Sequence, residues 1–334
     1  MEAVDSRYGS APMRLLTDSK DHGLRFATPN ASLSRVPVSS LDPHERRLWT
    51  ALGGDGTAWT SNGSCEAGFW RRLVVIRNAL RSQFDALHEV MAGGTPVELP
   101  VVAVALAGER FRGQRGRPWS ALEGNLFLTV GLPIGRPAAA LVPGLVMLPA
   151  LAVTDGIRAV SGSSVVPSIK WVNDILIGER KVGGVLASTV CRDGMVEAAV
   201  LGVGVNVAAS PELEPTPFVP CAGSLRDAGV ETTLPRILSR ILESLATRYH
   251  GLMVRGTADL LDAYRSASCV VGRRVRVWEE SVESTTGATD RPAPLAKGVV
   301  TSIGDDLSLA IEGHPEPVVR GRLAFEEVCE SLGV

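Results

Sequence analysis

Apolar positions change their spacing several times along the chain, and each change marks a different predicted element. In residues 78 to 94 they recur at helical spacing and predict one amphipathic helix that ends at Gly93-Gly94. Its expected inner face comprises Leu80, Phe84, Leu87 and Met91. Residues 101 to 108 and 125 to 132 are short, uniformly apolar runs. Such runs predict two buried strands.

The second half of the chain continues with alternating helix and strand patterns. Residues 137 to 160 predict a long apolar helix, and residues 234 to 253 predict another whose inner side carries Leu238, Ile241, Leu242 and Leu245. Strand-like patterns lie between them, at residues 165 to 171, 174 to 178, 182 to 190 and 195 to 207. This order predicts an α+β fold, a mixed sheet with hairpins and flanking helices.

Composition divides the chain into three predicted regions. Residues 1 to 65 are rich in Ser, Pro, Gly and Asp with little periodicity, which predicts an N-terminal extension with weak local structure. Residues 66 to 267 carry the mixed pattern of the main domain. Residues 268 to 334 carry short strands with turn signals, which predict a small C-terminal β-barrel with a loose loop over residues 281 to 296.

Whole-chain composition narrows the class of protein. The 334 residues have a net charge of -2 and are 45% hydrophobic, so the chain can bury an ordinary core and offers no overall positive charge for nucleic acid or anionic membrane. Five scattered cysteines lack zinc spacing and fit a reducing compartment. Prolines and charges interrupt the longest apolar stretch, and the first residues lack a signal pattern. We therefore expect a cytoplasmic protein without a membrane span.

Arginines and glycines alternate in the segment between the two buried strands. Arg110, Arg112, Arg115 and Arg117 are interleaved with Gly113 and Gly116, and no acidic residue separates them. Guanidinium groups bind phosphate and carboxylate oxygens in bidentate fashion, and glycines let backbone N–H groups approach an anion. This pattern predicts a loop over a phosphate-bearing ligand. A solvated basic loop or an RNA-binding segment are the alternatives.

Two lysines and an acid stand in the segment "KWVNDILIGERKVGGVL", residues 170 to 186, which otherwise predicts a hairpin. Lys181 begins the return strand beside Gly183-Gly184, and Asp174 lies in the turn. An ammonium in this position can bind a carboxylate or an α-phosphate, and a carboxylate can hold a metal or accept a proton. A hairpin with exposed lysines is the other interpretation. The chain has no Walker A sequence and no Ser/Cys–His signature, which argues against a P-loop site and nucleophilic catalysis.

Taken in order, these motifs resemble those of the biotin-protein ligases of the biotin/lipoate ligase superfamily. The resemblance covers about residues 74 to 328 and rests on five segments: "RGQRGRPW", "GNLFLT", "KWVND" with its following Lys181, "GVGVN" and "PCAGSL". It implies a class II synthetase-like catalytic domain with a C-terminal SH3-like β-barrel. No helix-turn-helix pattern is visible in the first 65 residues, so we expect no DNA binding.

The resemblance also implies a reaction and its residues. ATP and biotin would form biotinyl-adenylate with Mg²⁺, and the carrier domain of a biotin-dependent carboxylase would then receive biotin on a lysine. Catalytic roles are implied for Arg112, Asp174 and Lys181. Substrate or nucleotide contacts are implied for Asn78, Gly113, Gln114, Arg115, Arg117, Trp119, Asn125, Lys170, Trp171, Asn173, Gly183 and Asn206.

The sequence also departs from the family pattern. A Ser-Thr-Asn triplet that binds the ureido ring is replaced by Ile76-Arg77-Asn78, the first glycine of the loop by Phe111, and an arginine that commonly holds the adenylate by Gln114. Losing one charge-assisted contact in a buried site costs roughly 1.5 to 3 kcal/mol. A lipoyl or fatty-acyl ligase or transferase of the same superfamily, or a catalytically impaired binding homologue, therefore remains an alternative.

Overall fold

A ten-stranded mixed sheet forms the centre of the protein in the computed structural model. The structure describes residues 13–65, 69–94, 97–138, 141–162, 164–282 and 292–332. Spatial strand order is β2-β3-β1-β4-β5-β6-β10-β9-β8-β7. The strands are β1 (Met13–Thr17), β2 (Ser34–Pro37), β3 (Thr57–Cys65), β4 (Arg72–Ala79), β5 (Val101–Gly108), β6 (Leu126–Pro137), β7 (Pro167–Lys170), β8 (Asp174–Ile177), β9 (Arg180–Arg192) and β10 (Met195–Val205).

Helices cover both faces of this sheet. They are α1 (Lys20–Phe26), α2 (Pro43–Ala51), α3 (Gln83–Ala92), α4 (Val142–Ser161), α5 (Leu234–Arg255) and α6 (Ala258–Ala267). A further helix, α7 (Glu326–Ser331), contacts strands near the C-terminal end of the chain. Helices α4, α5 and α6 share one buried apolar cluster with the sheet, whereas α2 and α3 share a second one. The predicted α+β fold with a mixed sheet and flanking helices is confirmed.

Parallel and antiparallel pairing meet in the main sheet. The β1–β4 and β4–β5 pairs are parallel, and the pairs from β5 through β6, β10, β9 and β8 to β7 are antiparallel. The β9–β10 pairing places Gly184 opposite Gly204 and Gly183 opposite Val205. Glycines from two separate motifs therefore lie side by side at one point of the sheet.

The prediction of weak structure in the N-terminal region is wrong for residues 13–65. Strands β1, β2 and β3 extend the main sheet, with Leu15 and Leu16 fully buried. Periodicity does not reveal these strands, because β1 and β2 have only five and four residues and all three pair with segments distant in sequence. Residues 1–12 lie outside the described residues.

The helix predicted from residue 78 begins later, at Gln83. Residues 72 to 79 form the parallel strand β4 instead, because Leu73, Val74, Val75 and Ile76 form a buried run with β-branched side chains. Ser82 is the N-cap of α3, and its hydroxyl accepts a hydrogen bond from the Asp85 N–H at 3.4 Å. Leu80, expected on the inner face of the helix, lies in the turn and is 63% exposed.

The described C-terminal residues form a second, four-stranded antiparallel sheet in the order β13-β12-β11-β14. Its strands are β11 (Arg274–Trp278), β12 (Ala296–Ile303), β13 (Leu309–Ile311) and β14 (Arg322–Phe325). Closure into a barrel stays a prediction, and residues 283 to 291 of the predicted loop lie outside the described residues. The Trp171 indole N–H donates to the Leu307 carbonyl at 2.7 Å, which ties the β7–β8 turn to this sheet.

Helix α4 is long and apolar enough to cross a membrane by length and composition alone. In this fold 72% of its most apolar stretch is buried. The apolar residues of α4 contact the main sheet and helices α5 and α6, so the fold itself accounts for their hydrophobicity.

Candidate active site

A cavity of about 420 Å³ lies beside the sheet face that carries α3. Its wall combines the start of α3, the Arg-Gly loop, strands β6, β9 and β10, the β7–β8 hairpin and the segment that follows β10. Gly321, Arg322 and Leu323 add the edge of the second sheet. Most of the motifs predicted separately from the sequence therefore meet at one cavity.

Lys181 and Asp174 form the charged centre of this cavity. The Lys181 Nζ lies 2.6 Å from Asp174 Oδ1, and each side chain is 20% exposed. The backbone of Lys181 is fixed on its outer side, because its N–H donates to the Cys221 carbonyl and its carbonyl accepts from the Gly223 N–H. Its ammonium also lies 5.4 Å from the centre of the Trp119 ring. The ammonium is thereby held between a carboxylate and an aromatic face.

Arg112, from the Arg-Gly loop, lines the same cavity as Lys181. Its backbone bridges to Pro118, so the loop is closed on itself at this point. Gly113, Gln114 and Arg117 also line the cavity, and the Gln114 Oε1 accepts a hydrogen bond from Arg117 Nη2 at 3.4 Å. Cations from two separate turns, Arg112 and Lys181, therefore line one cavity.

Arg115 does not reach the cavity wall. It has a left-handed backbone with φ of 59°, and its guanidinium forms an ion pair with Glu280 at 2.5 Å. In this structure the Arg115 guanidinium pairs with Glu280 and does not line the cavity, and its nucleotide contact stays a prediction.

Trp119 fills the space that two glycines, Gly184 and Gly204, leave open. A Cβ on Gly204 would lie 2.7 Å from the indole, and one on Gly184 would lie 3.1 Å from it. Gly183 lies outside the cavity wall and serves strand pairing instead, since a Cβ there would lie 2.9 Å from the Gly204 carbonyl oxygen. The ligand contact expected for Gly183 stays a prediction.

The hairpin residues Lys170, Trp171 and Asn173 line the cavity, as does Asn206. Asn173 Nδ2 donates to the Val185 carbonyl at 2.7 Å, and Asn206 Nδ2 donates to the Gly223 carbonyl at 2.9 Å. These amides fix the hairpin and the strand end around the cavity. Asn125 does not line it.

Asn125 has a structural role in place of the predicted ligand contact. Its Oδ1 accepts from the backbone N–H groups of Val207, Ala208 and Ala209, and its Nδ2 donates to the Ala209 carbonyl at 2.8 Å. It is fully buried and holds the chain where β10 ends. Asn125 therefore fixes the start of the segment that covers the cavity.

Lys170 is a buried ammonium in the cavity wall. It is 4% exposed, and its Nζ donates to the Phe218 carbonyl at 2.6 Å. Burial lowers the pKa of Lys170 from its ordinary value of 10.5 to about 8, and the nearby Lys181 and Arg322 lower it further while Asp174 opposes them. The cavity therefore contains two ammonium groups with different environments.

Asn78, predicted to survive from the ureido-binding triplet, lies outside the cavity. It belongs to β4, and its side chain is exposed. Ile76 is buried in the core and also does not line the cavity. The ligand contact of Asn78 stays a prediction; it was expected at a helix start, whereas α3 begins at Gln83.

Gln83 is the cavity residue that the sequence analysis missed. It is 3% exposed and lies in the cavity wall beside Ser82 and Phe84. Neither Oε1 nor Nε2 of Gln83 has a hydrogen-bond partner among the described residues. The Ser82-x-x-Asp85 pattern is a capping signal that would have placed this glutamine in the first turn of the helix.

The described residues provide few side chains that could bind a magnesium ion. Among the described residues no group of three or more His, Cys, Asp or Glu side chains is placed to hold a metal ion. Asp174 is one carboxylate and already pairs with Lys181. Because Mg²⁺ commonly uses one or two carboxylates together with substrate phosphates, Asp174 fits an ion carried in with a nucleotide rather than a resident metal.

The sequence of this chain is similar to those of several known proteins. The sequence model of the biotin/lipoate A/B protein ligase family matches residues 97–206. The biotin–[acetyl-CoA-carboxylase] ligase of Mycobacterium tuberculosis is 32% identical over 212 residues, which cover 62% of this chain and 75% of that protein. The bifunctional ligase/repressor BirA of Bacillus subtilis is 29% identical over 210 residues. That alignment covers 61% of this chain and 62% of BirA, so the chain matches only about three fifths of the BirA length.

A comparison with solved structures identifies the same fold. The biotin protein ligase of Aquifex aeolicus, solved in complex with biotin and ATP, superposes with a TM-score of 0.58. The superposition covers 75% of this chain and 97% of that one, at 18% identity. At this identity the likeness concerns the fold.

Proposed function

Because the chain belongs to the biotin/lipoate A/B protein ligase family, we propose that it is a biotin-protein ligase that activates biotin with ATP and transfers it to a carrier lysine. Gln83 is the single observation that carries the choice of biotin. Both polar atoms of its amide are buried in the cavity wall without a partner among the described residues. Leaving a buried polar group unpaired costs about 1 to 3 kcal/mol, so the amide favours a ligand that pairs with it.

The chemistry of the amide selects among the possible acids. Gln83 offers one acceptor, Oε1, and one donor group, Nε2. The ureido ring of biotin offers a carbonyl that accepts and N–H groups that donate, so it complements both atoms. The dithiolane of lipoate and the chain of octanoate offer neither group. Apolar side chains of Phe84, Phe111 and Phe127 also line the cavity and suit the hydrocarbon part of the acid.

In the first step a biotin carboxylate oxygen attacks the α-phosphorus of ATP, and pyrophosphate leaves. Two anions must approach each other, so positive charge at the point of attack lowers the barrier. Lys181 and Arg112 line one cavity and supply that charge. Asp174 keeps the Lys181 ammonium in position. Mg²⁺ bound to the phosphates would neutralise further charge.

In the second step the ε-amine of a carrier lysine attacks the acyl carbon of biotinyl-adenylate, and AMP leaves. The partner we propose is the biotin-accepting domain of a biotin-dependent carboxylase. We also propose that the main sheet corresponds to the class II synthetase-like domain of the family. The second sheet would then correspond to its SH3-like barrel, with Arg322 at the cavity.

The proposal is tested by incubating the purified protein with ATP, Mg²⁺ and either biotin, lipoate or octanoate, and by measuring the rate of pyrophosphate release. We expect biotin to give the fastest pyrophosphate release, and a carrier domain to gain the mass of one biotinyl group. Gln83→Leu should lower kcat/KM for biotin on the order of a hundredfold, because two ureido contacts lose their partner. Its effect on octanoate should stay below about tenfold.

Asn78→Leu is the matched control, because it removes an exposed amide that lies outside the cavity. We expect it to leave biotin activation unchanged. Activation of lipoate or octanoate in preference to biotin would replace the proposal with the acyl-ligase alternative. Equal losses for biotin and octanoate in Gln83→Leu would remove Gln83 as the reason for selectivity.

A further inference from the structure

A second pocket, of about 590 Å³, lies among the strands that the N-terminal residues add to the main sheet. We call it the N-terminal pocket. The polar side chains of its wall include Arg14, Thr28, Asn30, Ser32, Ser34 and Thr60. Among the described residues none lines both this pocket and the candidate active site. The family's sequence model begins only at residue 97, so the N-terminal pocket lies outside the part of the chain that this model matches.

The charge of the pocket wall is positive. Arg14 is the one charged residue among the described residues that line the pocket, and no carboxylate accompanies it there. Most of the other wall residues carry a hydroxyl or an amide group. These groups donate hydrogen bonds, and a guanidinium binds the oxygens of an anion. The wall therefore suits an oxyanion and offers a metal ion no carboxylate ligand.

Strand pairing brings three of these side chains together. Ser34 of β2 lies opposite Thr60 of β3, and Leu16 of β1 lies opposite Thr60 on the other side of that strand. Residues two positions apart in a strand point to the same face of the sheet, so Arg14 shares the face of Leu16. A guanidinium and two hydroxyl groups are thus supplied by three neighbouring strands and not by one loop.

The remaining wall of the pocket is the loop between α1 and β2, residues 27–33. The Ala31 N–H donates to the Thr28 carbonyl at 2.9 Å, which closes a turn in the loop. Leu33, at its end, is 7% exposed and belongs to the apolar core. The polar side chains of the loop are therefore carried by a turn that is anchored at its end.

Arg14 is fixed by its inner edge. Its Nε lies 2.8 Å from Oε1 of Glu45, a fully buried residue of α2. The two terminal nitrogens, Nη1 and Nη2, form no hydrogen bond with a described residue. A guanidinium held in this way can present both terminal N–H groups to two oxygens of one anion. Glu45 therefore orients Arg14 without occupying its outer edge.

Thr60 provides an independent indication that the pocket receives a ligand. It is 7% exposed and lines the pocket, yet its hydroxyl forms no hydrogen bond with a described residue. Burying a polar group without a partner is costly, so buried hydroxyl groups are nearly always paired. The Thr60 hydroxyl therefore favours a hydrogen-bonding group that enters the pocket.

We propose that the N-terminal pocket binds a small phosphomonoester by its phosphate group. Arg14 takes two phosphate oxygens, and the hydroxyl groups of Ser34 and Thr60 donate to the others. A tetrahedral phosphate suits donors that come from three strands better than a planar carboxylate does. The volume of about 590 Å³ leaves room beyond the phosphate for the esterified part, which faces polar side chains of the loop. The site does not depend on the proposed ligase activity.

Isothermal titration calorimetry of the full chain at low ionic strength tests the proposal with ribose 5-phosphate, inorganic phosphate and ribose. None of these probes has the nucleobase of ATP. We expect ribose 5-phosphate to bind at one site with a Kd of roughly 0.1 to 1 mM, inorganic phosphate to bind more weakly, and ribose not to bind detectably. Equal Kd values for the two phosphates would overturn the ester assignment, and ribose binding as tight as that of ribose 5-phosphate would overturn the anion site.

Two double variants connect binding to the pocket. Ser34→Ala with Thr60→Val removes two donors and leaves the ion pair between Arg14 and Glu45 intact, and it should raise the Kd about tenfold. Arg14→Gln with Glu45→Gln removes the guanidinium without leaving a buried carboxylate unpaired, and it should raise the Kd on the order of thirtyfold or more. Circular dichroism and Tm establish that each variant is folded. Wild-type affinity in the folded Ser34→Ala, Thr60→Val variant would overturn the site.

Two single variants are the controls. Arg35→Gln removes an arginine of β2 that does not line the pocket, and it should leave the Kd for ribose 5-phosphate unchanged. Lys181→Ala removes a cation from the other cavity and should leave it unchanged as well. Loss of binding in Lys181→Ala, with wild-type affinity in both double variants, would place the phosphate in the candidate active site. That result, or the absence of phosphate binding to the wild type, would refute the proposal.

Discussion

The buried charge of Lys170 makes a quantitative prediction about stability. Its pKa falls from 10.5 to about 8 in the folded chain, chiefly because burial disfavours the ammonium. Below pH 8 both the folded and the unfolded states hold the proton, and folding carries the full cost of burying the charge. Between pH 8 and pH 10.5 the unfolded state holds a proton that the folded state has lost, so stability rises with pH.

The size of the effect follows from the two pKa values. Each pKa unit is worth about 1.4 kcal/mol, so the complete titration changes the free energy of unfolding by about 3 kcal/mol. About 2.5 kcal/mol of this change should be seen between pH 7 and pH 10. Lys170→Met has no such titration. The wild-type free energy of unfolding minus that of Lys170→Met should therefore rise by about 2.5 kcal/mol over this range.

Urea unfolding of both proteins at pH 7, 8, 9 and 10 measures this difference, and subtraction removes the titrations that they share. Lys20→Met serves as the control for the loss of a lysine, because Lys20 is exposed and does not line the cavity. If the difference in free energy of unfolding between wild type and Lys170→Met is also independent of pH, the Lys170 ammonium is solvated in the folded chain. The reasoning about its burial would then be wrong.

Two further predictions concern the phosphate end of the cavity. Lys181→Ala should slow pyrophosphate release on the order of a hundredfold or more with little change in fold, because its charge acts where phosphate charge develops; unchanged release would remove Lys181 from its role. Gln114→Arg adds a cation to the loop beside Arg117 and should reduce the adenylate found free in solution, as measured by chromatography of the nucleotide products, whereas unchanged leakage would show that this loop position does not contact the adenylate.

The chemistry-bearing segments could be predicted from sequence because their signals are local. The Arg-Gly loop between two apolar runs, and the lysines around "VND", combine residue types that core packing does not require. The structure brings Arg112, Asp174 and Lys181 to one cavity as expected. Local signals do not show which side chain of a loop points away from the cavity. Arg115 does so because it pairs with Glu280, which lies 165 positions later in the chain.

The N-terminal strands and the amide of the cavity could not be predicted in the same way. Strands β1 to β3 are defined by partners distant in sequence, and the short strands β1 and β2 leave little periodicity. Gln83 was missed because the helix start was placed five residues early, at Asn78. A polar residue in the first turn of a helix is ordinary, and its importance becomes visible only through burial and lack of a partner.

Packing around Trp119 makes residues from three motifs of the site sterically dependent on one another. Its indole occupies the space above Gly184 and Gly204, which belong to two motifs that are separate in the sequence, while Trp119 itself belongs to a third. A Cβ at Gly204 requires the indole to move, and one at Gly184 requires it to shift slightly. A larger residue at either glycine should therefore be tolerated best together with a smaller side chain at position 119.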